Sequence, residues 1–277
     1  MDEKTIALFC LCDDLLKELR VKDDPQSKMT TSEVMTIALV SAWLFSGNWN
    51  HARLYLGMKQ FFPRMLSKSR LNRRLHLISP DTWKAVFLRL ASHFKSRYGW
   101  SEFIVDSFPV MVCQNSRISR CKRFRGKEYH GYCASKRSYF FGIKVHMLTD
   151  LRGHPIEVIF TPGSESDIRA FRRFDLNLPE GSFIYGDRAY TDYDYEDALL
   201  DEGGIRLVAQ RKQNSRRPLI GPRRYLQACG RKRIETTFSQ ITSRFPRSIV
   251  ATTGKGFELK VFCFVLAHSF ETALAAA

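Results

Sequence analysis

The chain has 277 residues, 44% of them hydrophobic and 26% charged, which is enough apolar material for a packed core. With only 16 Gly and 10 Pro and no short repeat, collagen-like and low-complexity classes are excluded. Forty-four Lys and Arg against 28 Asp and Glu leave a net charge of +16, which points to a polyanionic partner: nucleic acid first, an anionic membrane surface second.

Residues 1 to about 99 read as helical. Apolar residues recur at helical spacing over 5–20. Thr31-Ser32-Glu33 reads as a cap ahead of a run over 34–44. The longest mostly apolar stretch lies here, and it is too short for the roughly 20 residues that a bilayer crossing needs. Ser46-Gly47-Asn48 breaks the pattern, and helical periodicity resumes over 49–62 until Pro63. The helix expected over 67–77 carries Lys68, Arg70, Arg73 and Arg74, with Leu71 and Leu75 behind them. It suits a DNA groove as recognition helices do, and equally an ordinary basic surface. Ser79-Pro80-Asp81 caps a last helix to about residue 97. Met1-Asp2-Glu3-Lys4 lacks the basic start of a signal peptide, so a cytoplasmic chain with seven reduced cysteines is expected.

The texture changes near Gly99, where a domain boundary is placed: a helical DNA-binding region over 1–99 and a second domain over 100–277. Strands are expected at 103–106, 139–148 and 155–161, the last two joined by the turn Leu151-Arg152-Gly153-His154. A short helix follows at 167–174, a strand at 183–187, and a helix at 192–202 stopped by Gly203-Gly204. A strand at 205–209 and helices at 231–245 and 257–274 complete the order. Hairpin-linked strands followed by strand–helix alternation imply an α/β domain with a mixed sheet.

The positive charge is segregated. Residues 111–137 hold eight bases and one acid; residues 203–234 hold ten bases and no acid. The rest of the chain is close to neutral. Mixed signs are the rule for a solvated surface, so two such stretches favour a tracked phosphate backbone. Candidate DNA contacts are Arg123, Arg125, Lys136 and Arg137 in the first stretch, and Arg211, Lys212, Arg216, Arg217 and Arg231 in the second. Lys144 and His146, alternating on one strand, and Arg188 join them. Trp49, Tyr132 and Tyr139 offer rings on which bases can stack, although core aromatics are commoner.

Three acids stand where metal-assisted phosphodiester chemistry needs them. Two divalent ions at such a site activate the attacking oxygen and stabilise the leaving one, and hard cations take carboxylate oxygens. Asp106 ends Phe103-Ile104-Val105, and Asp187 ends Phe183-Ile184-Tyr185-Gly186. Glu235 follows Ile234 and is the only acid between Glu202 and Glu258. Taken singly, each also reads as a turn acid, a cap or half of an i, i+4 pair.

Together, with their flanks, they resemble the Asp-Asp-Glu triad of bacterial insertion-sequence transposases. The residues that carry the resemblance are Val105-Asp106-Ser107-Phe108-Pro109-Val110, Phe141-Gly142-Ile143-Lys144-Val145-His146, Tyr185-Gly186-Asp187-Arg188-Ala189-Tyr190 and Arg231-Lys232-Arg233-Ile234-Glu235-Thr236-Thr237-Phe238. The resemblance covers about 100–270, and 66–76 is similar to the family's N-terminal region. It implies an RNase H-like domain, a five-stranded mixed sheet with flanking helices, preceded by an all-α DNA-binding domain. Its first acid lies on the first strand, its second at the end of the fourth, its third on a later helix. It also implies catalysis by Asp106, Asp187 and Glu235 around two Mg²⁺ or Mn²⁺ ions, cleavage at transposon terminal inverted repeats, and 3′-OH strand transfer into target DNA. A homodimer or larger synaptic complex follows from it, and no membrane partner. Departures are Arg188-Ala189 where the family often has Lys-Gly, Ser166 where a His precedes Asp167, and Ala228 and Thr242 where a related group has Tyr and Lys.

Cys113, Cys121, His130 and Cys133 lack the Cys-x-x-Cys spacing of zinc sites. Ser107 has no nucleophile elbow around it. A non-catalytic basic DNA-binding protein and a metal-dependent nuclease without joining activity remain alternatives.

Overall fold

The computed structural model describes residues 2–99, 101–134, 136–212, 214–218 and 221–276. The chain forms two compact units. The first comprises Met1–Phe94 and Gln240–Ala277, the second Lys95–Ser239. The chain passes between the units after Phe94 and again after Ser239, and the chain after Ser239 groups with the first unit.

The first unit is helical: α1 (Asp2–Glu18), α2 (Thr31–Leu44), α3 (Trp49–Met58), α4 (Lys68–Leu77), most of α5 (Pro80–Tyr98) and α9 (Gly254–Ala276). A capping box starts α2 one residue earlier than the sequence suggests. Thr30 Oγ1 accepts from Glu33 N at 3.2 Å, and Glu33 Oε2 accepts from Thr30 N at 2.8 Å. Apolar on every side, α2 is buried along almost its whole length and packs against α1, α3 and α9. The stretch 263–270 of α9 is buried without a break. A helix with no polar face must be enclosed, which explains why the C-terminal chain returns to the helical unit. On α4 only Leu71 and Leu75 are buried.

The second unit is a mixed sheet with helices. Its strands are β1 (Glu102–Cys113), β2 (His130–Cys133), β3 (Ser138–Asp150), β4 (Pro155–Pro162), β5 (Phe183–Gly186) and β6 (Arg206–Ala209). Its helices are α6 (Asp167–Phe171), α7 (Tyr193–Gly203) and α8 (Pro222–Thr242), the last running just past the unit's end. Antiparallel pairs join β4, β3 and β1; parallel pairs join β1, β5 and β6. These are five strands of the kind expected. A sixth, β2, pairs with 138–141 of β3 while β4 pairs with 143–149, so the two lie end to end along one edge of β3.

Two elements are longer than the sequence suggests. The strand expected over 103–106 continues to Cys113, with Phe108, Val110 and Val112 buried. Beyond Ile104 no pairing with β5 is formed among the described residues, so Pro109 is tolerated as at a sheet edge. The helix expected from 231 begins at Pro222, because proline suits a helix start and the bases after it are good helix formers.

Several contacts fix α8 on the sheet. A Cβ at Gly230 would lie 2.7 Å from Ile104 Cγ1, so the helix backbone rests directly on β1. Phe238 packs on Phe108 with ring centroids 4.6 Å apart. Thr237 Oγ1 donates to the Gly153 carbonyl at 3.1 Å, and Arg233 Nε to that of Arg152. No helix among the described residues is long and apolar enough to cross a membrane.

Two substitutions separate close approach from open space. Gly142 faces Met111 across the β1–β3 pair, and a Cβ there would collide with the Val110 carbonyl oxygen. Gly142→Ala is expected to destabilise the second unit by about 1–3 kcal/mol in urea unfolding, the usual cost of overpacking. In α3 the nearest atom to a Cβ on Gly57 is Met65 Cγ at 3.7 Å, an ordinary contact. Gly57→Ala is expected to stabilise the first unit by up to about 1 kcal/mol in the same measurement.

Candidate active site

Strand register sets the first two acids side by side. In the parallel β1–β5 pair, Phe103 lies opposite Ile184 and Ile104 opposite Tyr185. Two residues beyond the last pair come Asp106, still within β1, and Asp187, just past the end of β5. Adjacent strands run about 4.8 Å apart, so carboxylates at matched positions are neighbours. Gly186 leaves room for the ring of Tyr190, since a Cβ there would lie 3.0 Å from it. Tyr190 in turn stands edge-on to Phe171 at 5.8 Å.

Burial dominates the electrostatics of this pair. It pushes the Asp106 carboxyl up to about 7; Asp187 and Asp167 push the same way, against the Ser107 N–H and Arg231. Asp187 is also raised, first by burial and then by Asp167, while the Ala189 N–H and Arg231 act in the opposite direction. The backbone supplies one hydrogen bond to each: Ser107 N donates to Asp106 Oδ1 and Ala189 N to Asp187 Oδ1, both at 2.8 Å. Tyr190 is held well above the usual phenol range, by burial and by all three aspartates.

One wall of the site comes from α8. Gln227 Nε2 donates to the carbonyls of Gly186 at 2.7 Å and Val208 at 3.3 Å, tying the helix to the ends of β5 and β6. One turn on, Arg231 Nε donates to Glu235 Oε1 at 3.0 Å. Asp106, Asp187, Arg231 and Glu235 line one cleft of about 950 Å³, with Arg188, Arg211 and Lys212 on its border. Glu235 shares the cleft with the aspartates, but its carboxylate is held by Arg231 and is half exposed. Among the described residues no three His, Cys, Asp or Glu side chains form a ready-made metal centre.

Asp167, at the first turn of α6, is a member of the site that the sequence candidates do not include. It accepts from Ser107 Oγ at 2.9 Å and from Lys144 Nζ at 3.2 Å, and His146 Nδ1 lies 3.6 Å away. Its signal in the sequence is the departure Ser166-Asp167 from the family pattern. Ser107 is thereby a hydrogen-bond donor to Asp167. Gln227 carries no signal at all, because its role depends on two strand ends far away in the sequence.

The remaining sequence candidates divide by exposure. Lys144 also donates to the Glu165 carbonyl at 2.9 Å, and so is anchored twice. His146 is fully buried and hydrogen-bonded to Thr161 at 2.9 Å; burial pushes it down to about 4, so the ring is neutral at pH 7 and does not face solvent. Strand alternation sets it on the face opposite Val145 and Met147, and there Asp167 of α6 meets its ring. Arg123 donates to the Val112 carbonyl at 2.8 Å. Arg211 is ion-paired with Glu196, and Arg217 grips Asp197 at 2.7 and 2.8 Å. Acids of α7 therefore offset part of the charge counted over 203–234. In α4, Arg74 donates to the Met29 carbonyl at 3.3 Å and pairs with Asp23 at 3.6 Å. Exposed bases remain at Lys68, Arg70, Arg73, Arg125, Lys136, Arg137, Arg188, Lys212, Arg216 and Arg231. Tyr132 and Tyr139 form an exposed ring pair 5.0 Å apart, whereas Trp49 is buried. Cys113 and Cys121 share a hydrogen bond, and no disulfide joins the described cysteines.

No curated protein matches the chain. Two solved structures align along most of its length. A Mos1 transposase paired-end complex with the left transposon end is 10% identical over 84% of this chain and 86% of that one, with a TM-score of 0.26. A Mos1 mariner paired-end complex with Mn is 10% identical over 86% and 88%, with a TM-score of 0.25. Similarity at that level carries no structural argument. A family model described as a transposase DDE domain matches residues 99–258, more than half of the chain and a span that contains Asp106, Asp187 and Glu235. The chain therefore belongs to the transposase DDE-domain family.

Proposed function

We propose that the protein cleaves DNA at the ends of its own mobile element and joins the exposed 3′ hydroxyl to target DNA, with Asp106, Asp187 and Glu235 as its catalytic carboxylates. The observation that carries this reading is the convergence of the three acids on one basic cleft, two of them raised by burial. Both steps are in-line displacements at phosphorus, so one site serves both.

The residues present fit divalent cations. Asp106 and Asp187 form a partly buried carboxylate pair whose repulsion a cation would relieve, and oxygen-only donors suit Mg²⁺ or Mn²⁺. Bound there, two such ions would activate the attacking oxygen and stabilise the leaving one. Asp106 and Asp187 would hold them, and Glu235 would contribute after its carboxylate leaves Arg231. The freed Arg231, on the same wall of the cleft, would then meet the phosphate. Arg188 and Lys212 at the border hold the backbone on either side without reading sequence. Asp167 keeps Lys144 and Ser107 in place beside the first acid. Terminal inverted repeats and target DNA are the partners of this reading, with a homodimer or larger synaptic complex bridging two ends.

Two measurements test it. Asp187→Asn is expected to abolish Mg²⁺-dependent cleavage and strand transfer on DNA carrying the element's ends, while leaving DNA binding in EDTA unchanged. Retained cleavage would remove Asp187 from the chemistry, and tight binding by the parent protein with no metal-dependent product would favour the non-catalytic alternative. The second measurement is stability against pH without metal. Asp106 is raised in the folded state from 3.8 to about 7, so the folded protein binds this proton more tightly than the unfolded chain. Its contribution is full below pH 3.8 and is lost as pH rises towards 7. Asp106→Asn is expected to flatten that decline in a urea titration between about pH 4 and 8, and Mg²⁺ to stabilise the parent protein but not the variant above about pH 7.

A further inference from the structure

The first unit contains a second basic cleft that the chemistry above does not use. It has a volume of about 1420 Å³ and is lined by the start of α3, one face of α4, the segment 246–256 and the start of α9. Its cations are Arg53, Lys68, Arg73, Lys255 and Lys260, and no Asp or Glu is among the described residues that line it. In a chain with 28 acids this is a selected environment.

Lys260 marks its floor. The ammonium lies 4.8 Å from the centre of the Trp49 ring, and His76 meets the same ring at 5.8 Å. Burial lowers the Lys260 pKa, against a smaller opposing effect of Cys263. Among the described ion pairs no carboxylate joins Lys260. A half-buried ammonium resting on an indole face, without an anion, is costly unless a ligand supplies one. Lys68 and Arg73 stand exposed above it on α4. Asn48, Asn50, Asn72, Thr252 and Thr253 add polar groups along the walls.

We infer that this cleft binds the phosphodiester backbone of duplex DNA, with a phosphate seated at Lys260 on the Trp49 face and its neighbours held by Lys68, Arg73 and Lys255. The inference rests on the reading of the chain as a DNA-processing enzyme, and it adds a contact made jointly by the N-terminal helices and the C-terminal helix. It differs from a recognition helix acting alone, because the residue at the centre belongs to α9. Backbone contacts of this kind position DNA and carry no sequence information themselves.

The test is fluorescence anisotropy of a labelled duplex of about 30 base pairs with the full chain in EDTA, over a series of salt concentrations. Lys255→Ala/Lys260→Gln is expected to weaken binding roughly tenfold at low salt and to reduce the slope of log K against log salt by about 2, near 1 for each phosphate no longer neutralised. Lys260→Arg keeps the charge and should bind like the parent. Unchanged affinity and slope in a folded Lys255→Ala/Lys260→Gln variant, checked by circular dichroism, overturns the inference even if Lys68→Ala/Arg73→Ala binds poorly. Should Lys260→Gln not fold, Lys255→Ala/Arg73→Ala at the lip decides, with the same expected weakening and the same refutation. A parent protein that binds no duplex overturns both this inference and the DNA-processing reading. A parent protein that binds through the cleft but never cuts with Mg²⁺ overturns only the catalytic chemistry.

Discussion

The parallel pairing of β1 with β5 is the constraint on which the site depends. It aligns Phe103 with Ile184 and Ile104 with Tyr185, and the same register carried two residues onward delivers Asp106 and Asp187 together. The apolar residues before each acid are what make this register firm. Phe103, Ile104, Ile184 and Tyr185 are all buried, so a slip of one residue would turn core side chains outward and cost several kcal/mol. Apolar burial thus holds two like charges near each other. The response is visible in their protonation: burial and the charge of Asp167 keep both carboxyls above their ordinary range, with Asp187 adding to the effect on Asp106.

Around that pair the protein places fixed donors instead of neutralising partners. Each aspartate accepts one backbone N–H, and neither is locked in an ion pair among the described residues. Arg231 is a cation within electrostatic reach of both, and it is occupied by Glu235. The cleft therefore contains one exchangeable salt bridge at its exposed wall and an uncompensated carboxylate pair at its floor. Exposed i, i+4 pairs are worth only about 0.3–0.5 kcal/mol, so opening this one for a phosphate or a cation is cheap. Gly230 against Ile104 and Phe238 against Phe108 hold the helix that carries Arg231 and Glu235, which makes the placement of the third acid a consequence of core packing.

The helical unit is organised by a different physical demand. Both α2 and the 263–270 stretch of α9 are buried on nearly every side, and neither is stable unless covered. Packing them together satisfies both, and it draws the chain after Ser239 into the unit formed by the N-terminus. A sequence boundary drawn at residue 100 has no means of registering this return. Composition along a chain marks where texture changes, and only three-dimensional contact shows which distant segments complete one core.

Element order, the mixed character of the sheet, and three acids with flanks of a recognisable kind are all legible in the amino-acid sequence. Those features are local: alternation, helical spacing, a helix cap and an acid at the end of an apolar run are each read over a few residues. The charge surplus is legible too, but not its disposition. Arg211 and Arg217 count as free bases in the sequence because their partners Glu196 and Asp197 lie outside the basic stretch. His146 reads as outward-facing because alternation along β3 says nothing about the helix laid on that face. The adjacency of Asp106 and Asp187, the entry of Asp167 and Gln227 into the site, and the engagement of Glu235 by Arg231 belong to the tertiary fold. Each depends on pairing register or on a helix laid across strands, and such long-range geometry leaves no periodic trace in the order of amino acids.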